Sequence, residues 1–112
     1  IGSPAYPSSP DEIRAFAGRL MDRSFHPAGV KRHFLAGMGT GSLRPLSRQI
    51  KAPTLVVHGK EDKLVRPAGG KAIARSITGA RLELVDGMGH DIPQALVGHL
   101  ADLFTRNFKR AG

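Results

Sequence analysis

Two short aliphatic runs set the strongest limit on what this chain can become. The first is Thr54-Leu55-Val56-Val57-His58, stopped by Gly59, and the second is Arg81-Leu82-Glu83-Leu84-Val85. The first run is continuous rather than alternating, which reads as a strand buried on both faces, as in a parallel sheet. Between the runs, Gly70 to Ile77 is expected to be helical, with Ile73 and Ile77 four apart. After the second run, a loop holding two glycines leads to Pro93, which opens a final helix to about Lys109. That helix carries Leu96, Leu100, Leu103 and Phe104 on one face. The order from residue 53 is therefore β-α-β-α, the pattern of a doubly wound α/β layer. Two strands are too few for such a layer, since they leave two edges and both apolar faces open. The region reads as the end of a sheet whose earlier strands lie elsewhere.

The first fifty residues differ in character. Residues 1–8 are rich in Pro and Ser and are expected to be irregular. Ser9-Pro10-Asp11-Glu12 then announces a helix, with Ser9 as cap, Pro10 in the first turn and Glu12 completing a capping box. Ile13, Phe16, Ala17 and Leu20 follow at helical spacing and predict an amphipathic helix over 10–24. His26-Pro27 interrupts it, and a second helix is expected over 28–37 with Val30 and Phe34 on one face. Gly37-Met38-Gly39-Thr40-Gly41 reads as a flexible linker. It lacks the preceding strand and the Lys-Ser/Thr ending of a phosphate loop. A short helical segment is expected around 43–50. The chain opens Ile1-Gly2-Ser3-Pro4, without Met, which reads as a piece of something longer.

Composition removes several function classes. A chain of 112 residues holds one domain at most. The net charge of +8 comes from 17 basic and 9 acidic residues, scattered along both halves. There is no block of five like charges, no Trp and a single Tyr, so a solvated basic surface is expected and nucleic acid is not a partner. Cysteine is absent, which excludes disulfides, a thiol nucleophile and Cys-ligated zinc. His26, His33 and His99 share no ligand spacing, so no metal site is expected. No apolar run approaches the ~20 residues of a membrane span, and no signal-type segment opens the chain. A cytoplasmic location is the expectation.

Asp62 lies four residues past the end of the first run and His90 five past the end of the second. In an open parallel sheet both fall at the carboxyl edge, where ligands bind. Adjacent strands sit about 4.8 Å apart, so the two loops can touch. A carboxylate that accepts from an imidazole N–H fixes the ring's tautomer and leaves the other nitrogen free to act as a base. Glu61 and Asp91 are neighbouring acids. The loop register favours Asp62, and Asp91 reads as the cap of the last helix. His58, at a strand end, is expected to pack or to hydrogen-bond a backbone group.

At these residues the chain resembles the α/β-hydrolase family. Pro53-Thr54-Leu55-Val56-Val57-His58-Gly59-Lys60-Glu61-Asp62 is similar to the family's strand and acid loop. Gly79-Ala80-Arg81-Leu82-Glu83-Leu84-Val85 followed by Asp86-Gly87-Met88-Gly89-His90-Asp91 is similar to the strand and loop that carry its catalytic histidine. The order and interval of the two motifs match as well. Asp22-Arg23-Ser24-Phe25-His26-Pro27-Ala28-Gly29-Val30 resembles a lid stretch of esterase-like members, including methylesterases of the aclacinomycin type. The resemblance implies the C-terminal part of an α/β-hydrolase fold: two parallel strands with flanking helices, plus N-terminal lid helices. It assigns residues 1–50 to a lid-derived helical segment and 51–112 to the C-terminal β-α-β-α part of the core. Phe25, Phe34 and Met38 are then expected in the lid core.

The implied chemistry is hydrolysis of a carboxylic ester or related acyl bond by a nucleophile, His90 and Asp62, with neither metal nor organic cofactor. The family's nucleophile sits in G-x-S-x-G at a strand-to-helix turn. The one pair of glycines at that spacing, Gly37 and Gly41, has Gly39 at its centre, so the isolated chain is expected to be inactive. Whether the nucleophile is Ser or Asp stays open. The expected partners are a small ester-like substrate in a longer parent, and either the missing N-terminal portion or a second copy. The alternative is a catalytically silent module that self-associates through its sheet edge.

Overall fold

A computed structural model describes residues 2–110. The element order is α1 (Pro10–Arg23), α2 (Pro27–Gly39), α3 (Arg44–Ser47), β1 (Leu55–Gly59), α4 (Pro67–Ser76), β2 (Arg81–Val85), a 3-10 turn (Gln94–Leu96) and α5 (Val97–Phe108). Residues 8–43 form one compact unit. The described residues before Ser8 and after Leu43 form another.

In the smaller unit, α1 begins as its sequence requires. The Ser9 hydroxyl accepts from the Glu12 amide, and the Glu12 carboxylate accepts from the Ser9 amide. Together these satisfy two of the donors that a helix start leaves open. Pro27 opens α2, and that helix runs on through Gly37, Met38 and Gly39 to Thr40. The flexible linker expected from Gly37 is thus helical for its first three residues. The Thr40 hydroxyl and amide both return to the Ala36 carbonyl and hold the last turn. Neither helix has a buried residue. Phe25, Phe34 and Met38, expected in a lid core, are 72%, 65% and 70% exposed. Their burial needs surface that this unit alone does not provide.

In the larger unit β1 and β2 pair in parallel, with Leu55 opposite Arg81 and Gly59 opposite Val85. Strand alternation sends Leu55 and Val57 to one face, where they pack on a core of Val85, Met88, Leu96, Leu100 and Leu103. Leu96 closes the 3-10 turn, and Leu100 and Leu103 are the buried stripe of α5. Asn107 ties that helix to the sheet by donating to the Pro53 carbonyl at 3.0 Å. His58 points to the other face and meets α4. A side-chain carbon on Gly70 would lie 2.7 Å from the His58 ring, so glycine there lets helix and strand approach. One helix lies on each face, as expected of a layered α/β unit. Residues Leu55 to His58 are nevertheless only half-buried, not sealed on both faces. A single helix per face and a single neighbouring strand leave much of a strand's surface open. The mixture of helices with a two-stranded parallel sheet is compatible with part of an α/β-hydrolase fold.

Residues 2–7 are irregular, as expected, and their turn is packed as part of the larger unit. The Tyr6 amide donates to the Ser3 carbonyl, the Ala5 amide donates to the Gly87 carbonyl, and the Tyr6 ring packs against the core. Ser3 is 4% exposed. A stretch of Pro and Ser gives no periodicity from which such packing could be read.

Candidate active site

The loops that leave β1 and β2 are stitched together. The Lys60 amide donates to the Val85 carbonyl and the Glu61 amide to the Met88 carbonyl, both at 3.0 Å. Gly59 makes the crossing feasible: a Cβ there would overlap the carbonyl oxygens of Met88 and Gly89. Gly87 is needed for two reasons. Its φ of +71° lies where side chains are rarely tolerated, and a Cβ would strike Ala5. On the rim, the exposed Lys60 ammonium pairs with Asp86, whose hydrogen bond and charge raise the lysine's pKa.

Asp62 sits inside this stitched pair of loops with its side chain 6% exposed. Its Oδ1 accepts from the amides of Leu64 and Val65, each at 2.9 Å. Its Oδ2 lies 2.9 Å from Nδ1 of His90. Burial on its own would raise the carboxyl's pKa. The hydrogen bond from His90 and the two amides outweigh it, so the group sits below the ordinary carboxylate value. An ionised carboxylate can only accept, so the shared proton belongs to His90 Nδ1. In the neutral ring with that tautomer Nε2 carries the free lone pair, on a side chain that is 41% exposed. The arrangement can take up a proton at Nε2 and stabilise the resulting imidazolium through Asp62.

The expected acid and base positions are therefore brought together, and the two neighbouring carboxylates are not on the imidazole. Glu61 has a buried Oε2 with no hydrogen-bond partner among the described residues. Asp91 does not cap the final helix, because the 3-10 turn intervenes and its cap residue, Pro93, makes no side-chain hydrogen bond. Asp91 instead accepts from the Ser3 hydroxyl. His58 makes the expected backbone bond: its Nε2 lies 2.8 Å from the Val65 carbonyl, which can only accept, so Nε2 carries a hydrogen. The same nitrogen is 3.5 Å from Asp62 Oδ2. His58 thus braces the far end of the acid turn, a role that its place at a strand end did not disclose.

Other features add no chemistry. An open groove of about 590 Å³ lies wholly within the smaller unit, lined by His26, Val30, His33 and Phe34 among others. It contains neither Asp62 nor His90, and no carboxylate lines it. Among the described residues no three side chains cluster as metal ligands, and no helix is long and apolar enough to cross a membrane.

Comparison with known proteins gives this geometry a family. The family described as serine aminopeptidase, S33, matches residues 20–94, more than half of the chain and a span that contains both Asp62 and His90. Monoacylglycerol lipase ABHD6 of Rattus norvegicus is 33% identical over 51 residues, which are 46% of this chain and 15% of the rat protein. Monoacylglycerol lipase abhd6-B of Xenopus laevis is 28% identical over 78 residues, which are 67% of this chain and 23% of that protein. Monoacylglycerol lipase ABHD6 of Homo sapiens is 33% identical over 51 residues. The chain thus spans about a quarter or less of the length of these curated relatives. A matched region that takes in both loops, and relatives that are themselves hydrolases, place this chain in the α/β-hydrolase family of serine-aminopeptidase type.

Proposed function

We propose that Asp62 and His90 are the acid and the general base of a hydrolytic triad that cleaves a carboxylic ester or related acyl bond. The observation that carries this reading is the 2.9 Å bond from His90 Nδ1 to a buried, depressed Asp62 carboxylate, with Nε2 left open. In the reaction, Nε2 takes the proton of the attacking nucleophile, Asp62 stabilises the imidazolium, and the same nitrogen returns the proton to the leaving alcohol. The relatives named monoacylglycerol lipases support an ester as the bond attacked. The 112 residues contain no G-x-S-x-G, so the nucleophile comes from sequence outside them and the isolated chain is inactive.

The test is hydrolysis of p-nitrophenyl esters by the longest natural polypeptide that carries these residues, beside its His90→Ala and Asp62→Asn variants. Both changes are expected to lower kcat by roughly 10³-fold or more, because triad members act as a unit. Turnover that survives His90→Ala overturns the reading.

A second reading, a silent module that self-associates through its sheet edge, draws support from the two-stranded sheet, in which β1 and β2 each have one edge with no partner strand among the described residues. It expects no turnover in any longer product and no effect of His90.

A further inference from the structure

We propose that Ser3 is a positioning residue for His90. The inference rests on the reading of His90 as the base and adds a residue that lies 87 positions away in sequence. The loop that carries His90 makes one direct bond from its ring, to Asp62. A ring that is 41% exposed needs its backbone held as well.

Ser3 supplies that hold on both sides. Its hydroxyl oxygen accepts from the Gly89 amide at 2.8 Å, and its hydrogen goes to Asp91 Oδ1 at 2.5 Å. One hydroxyl thus uses its donor and an acceptor site on the two residues that flank His90. The second bond is charge-assisted and falls in the short range of O–H···O⁻ bonds. Ser3 is 4% exposed, so water does not compete for either contact. It is not free to wander: the Tyr6 amide closes the turn onto the Ser3 carbonyl, and the Ala5 amide bonds Gly87 at the start of the same loop. Both hydrogen bonds of the Ser3 hydroxyl go to protein groups, so it acts through the His90 loop and not on the reacting atoms.

The experiment is NMR on the full chain with labelled histidine, following hydrogen exchange of the His90 Nδ1 proton and of backbone amides. Ser3→Ala is expected to speed exchange of that ring proton and of the Gly89 amide at least tenfold, while the Leu100 and Leu103 amides in α5 change less than twofold. Ser3→Thr, which keeps the hydroxyl, is expected to restore protection. Should Ser3→Ala fail to fold, Asp91→Ala decides, since it removes the anchor and leaves the hydroxyl on Gly89; the same local loss is expected. A slow ring proton in the parent that stays within twofold in these variants overturns the role of Ser3 alone. A rise in exchange that is uniform across the unit also overturns it, because Ser3 is then merely structural. A parent in which the His90 ring proton is not protected at all overturns the dyad reading, and the role of Ser3 with it.

Discussion

Gly59 lies so close beneath Met88 that a single methyl group on the first would overlap the carbonyl oxygen of the second. That carbonyl also accepts the Glu61 amide, so the approach is bonded as well as tight. Gly59→Ala is therefore expected to push the His90 loop off the end of β1. The cost should be about 1–3 kcal/mol, the range for backbone displacement in a packed site. Chemical denaturation of the variant against the parent, with the His90–Asp62 proton followed by NMR, measures both effects. An alanine variant of equal stability with that proton intact would show that the loop has slack.

The depressed Asp62 carboxyl has a consequence for acid stability. Its folded pKa lies below its unfolded value of about 3.9. The stabilisation it gives is therefore full above about pH 4 and is lost as pH falls through the lower folded value. A carbon-detected titration of Asp62 is expected to give a midpoint below 3.9, and Asp62→Asn should flatten that part of the stability curve. A midpoint at or above the ordinary value would mean that burial outweighs the His90, Leu64 and Val65 bonds.

The isolated 112-residue chain is expected to hydrolyse p-nitrophenyl esters no faster than its own His90→Ala variant. A base that lacks its nucleophile retains little of a triad's effect. A fluorophosphonate adduct on any serine of this chain, or turnover lost with His90, would contradict the expectation.

Self-association is the fourth expectation. Ile13, Phe16, Leu20 and Met21 in α1 are each half or more exposed, as are Val30, Phe34 and Met38 in α2. β1 also has an edge with no partner strand among the described residues. Each large aliphatic left in water forgoes roughly 1.5–3 kcal/mol of burial, and an unpaired edge invites another strand. Sedimentation of the isolated chain at micromolar concentration should show dimers or larger species. A sharp 12.0 kDa species with cooperative thermal unfolding would refute it.

The sequence disclosed the parts of this molecule that depend on local pattern. Ser9 and Glu12 mark the start of α1 because capping is a matter of adjacent residues. The two aliphatic runs fall on β1 and β2 to within a residue, and the loop register picks out Asp62 over Glu61. What stayed hidden depends on distant partners. The bond between Ser3 and Asp91 joins residues 88 apart, so Asp91 reads as a helix cap, and the packing of residues 2–7, which are irregular as expected, has no local signal. Phe25, Phe34 and Met38 stay exposed because apolar character says that a residue wants cover, not where the cover comes from. Gly37 to Gly39 misled in the opposite sense: glycine lowers helix propensity, yet the turn closed by Thr40 carries α2 through them.

The level register of the two strands has a bearing on which changes this chain can absorb. Gly59 and Val85 face one another at the ends of β1 and β2, so the acid and histidine loops set out from the same height. The distance between the two side chains is then governed by the few residues of each loop and not by the length of the crossover. An extra residue around Thr78 to Ala80, at the opposite end of the sheet, lengthens the return path and leaves the pair where it is. One extra residue between Gly59 and Asp62, or between Val85 and His90, moves one partner past the other. Natural length variation should therefore gather at the far end of this unit, and drift should be scarce in the two short spans that begin at Gly59 and Val85.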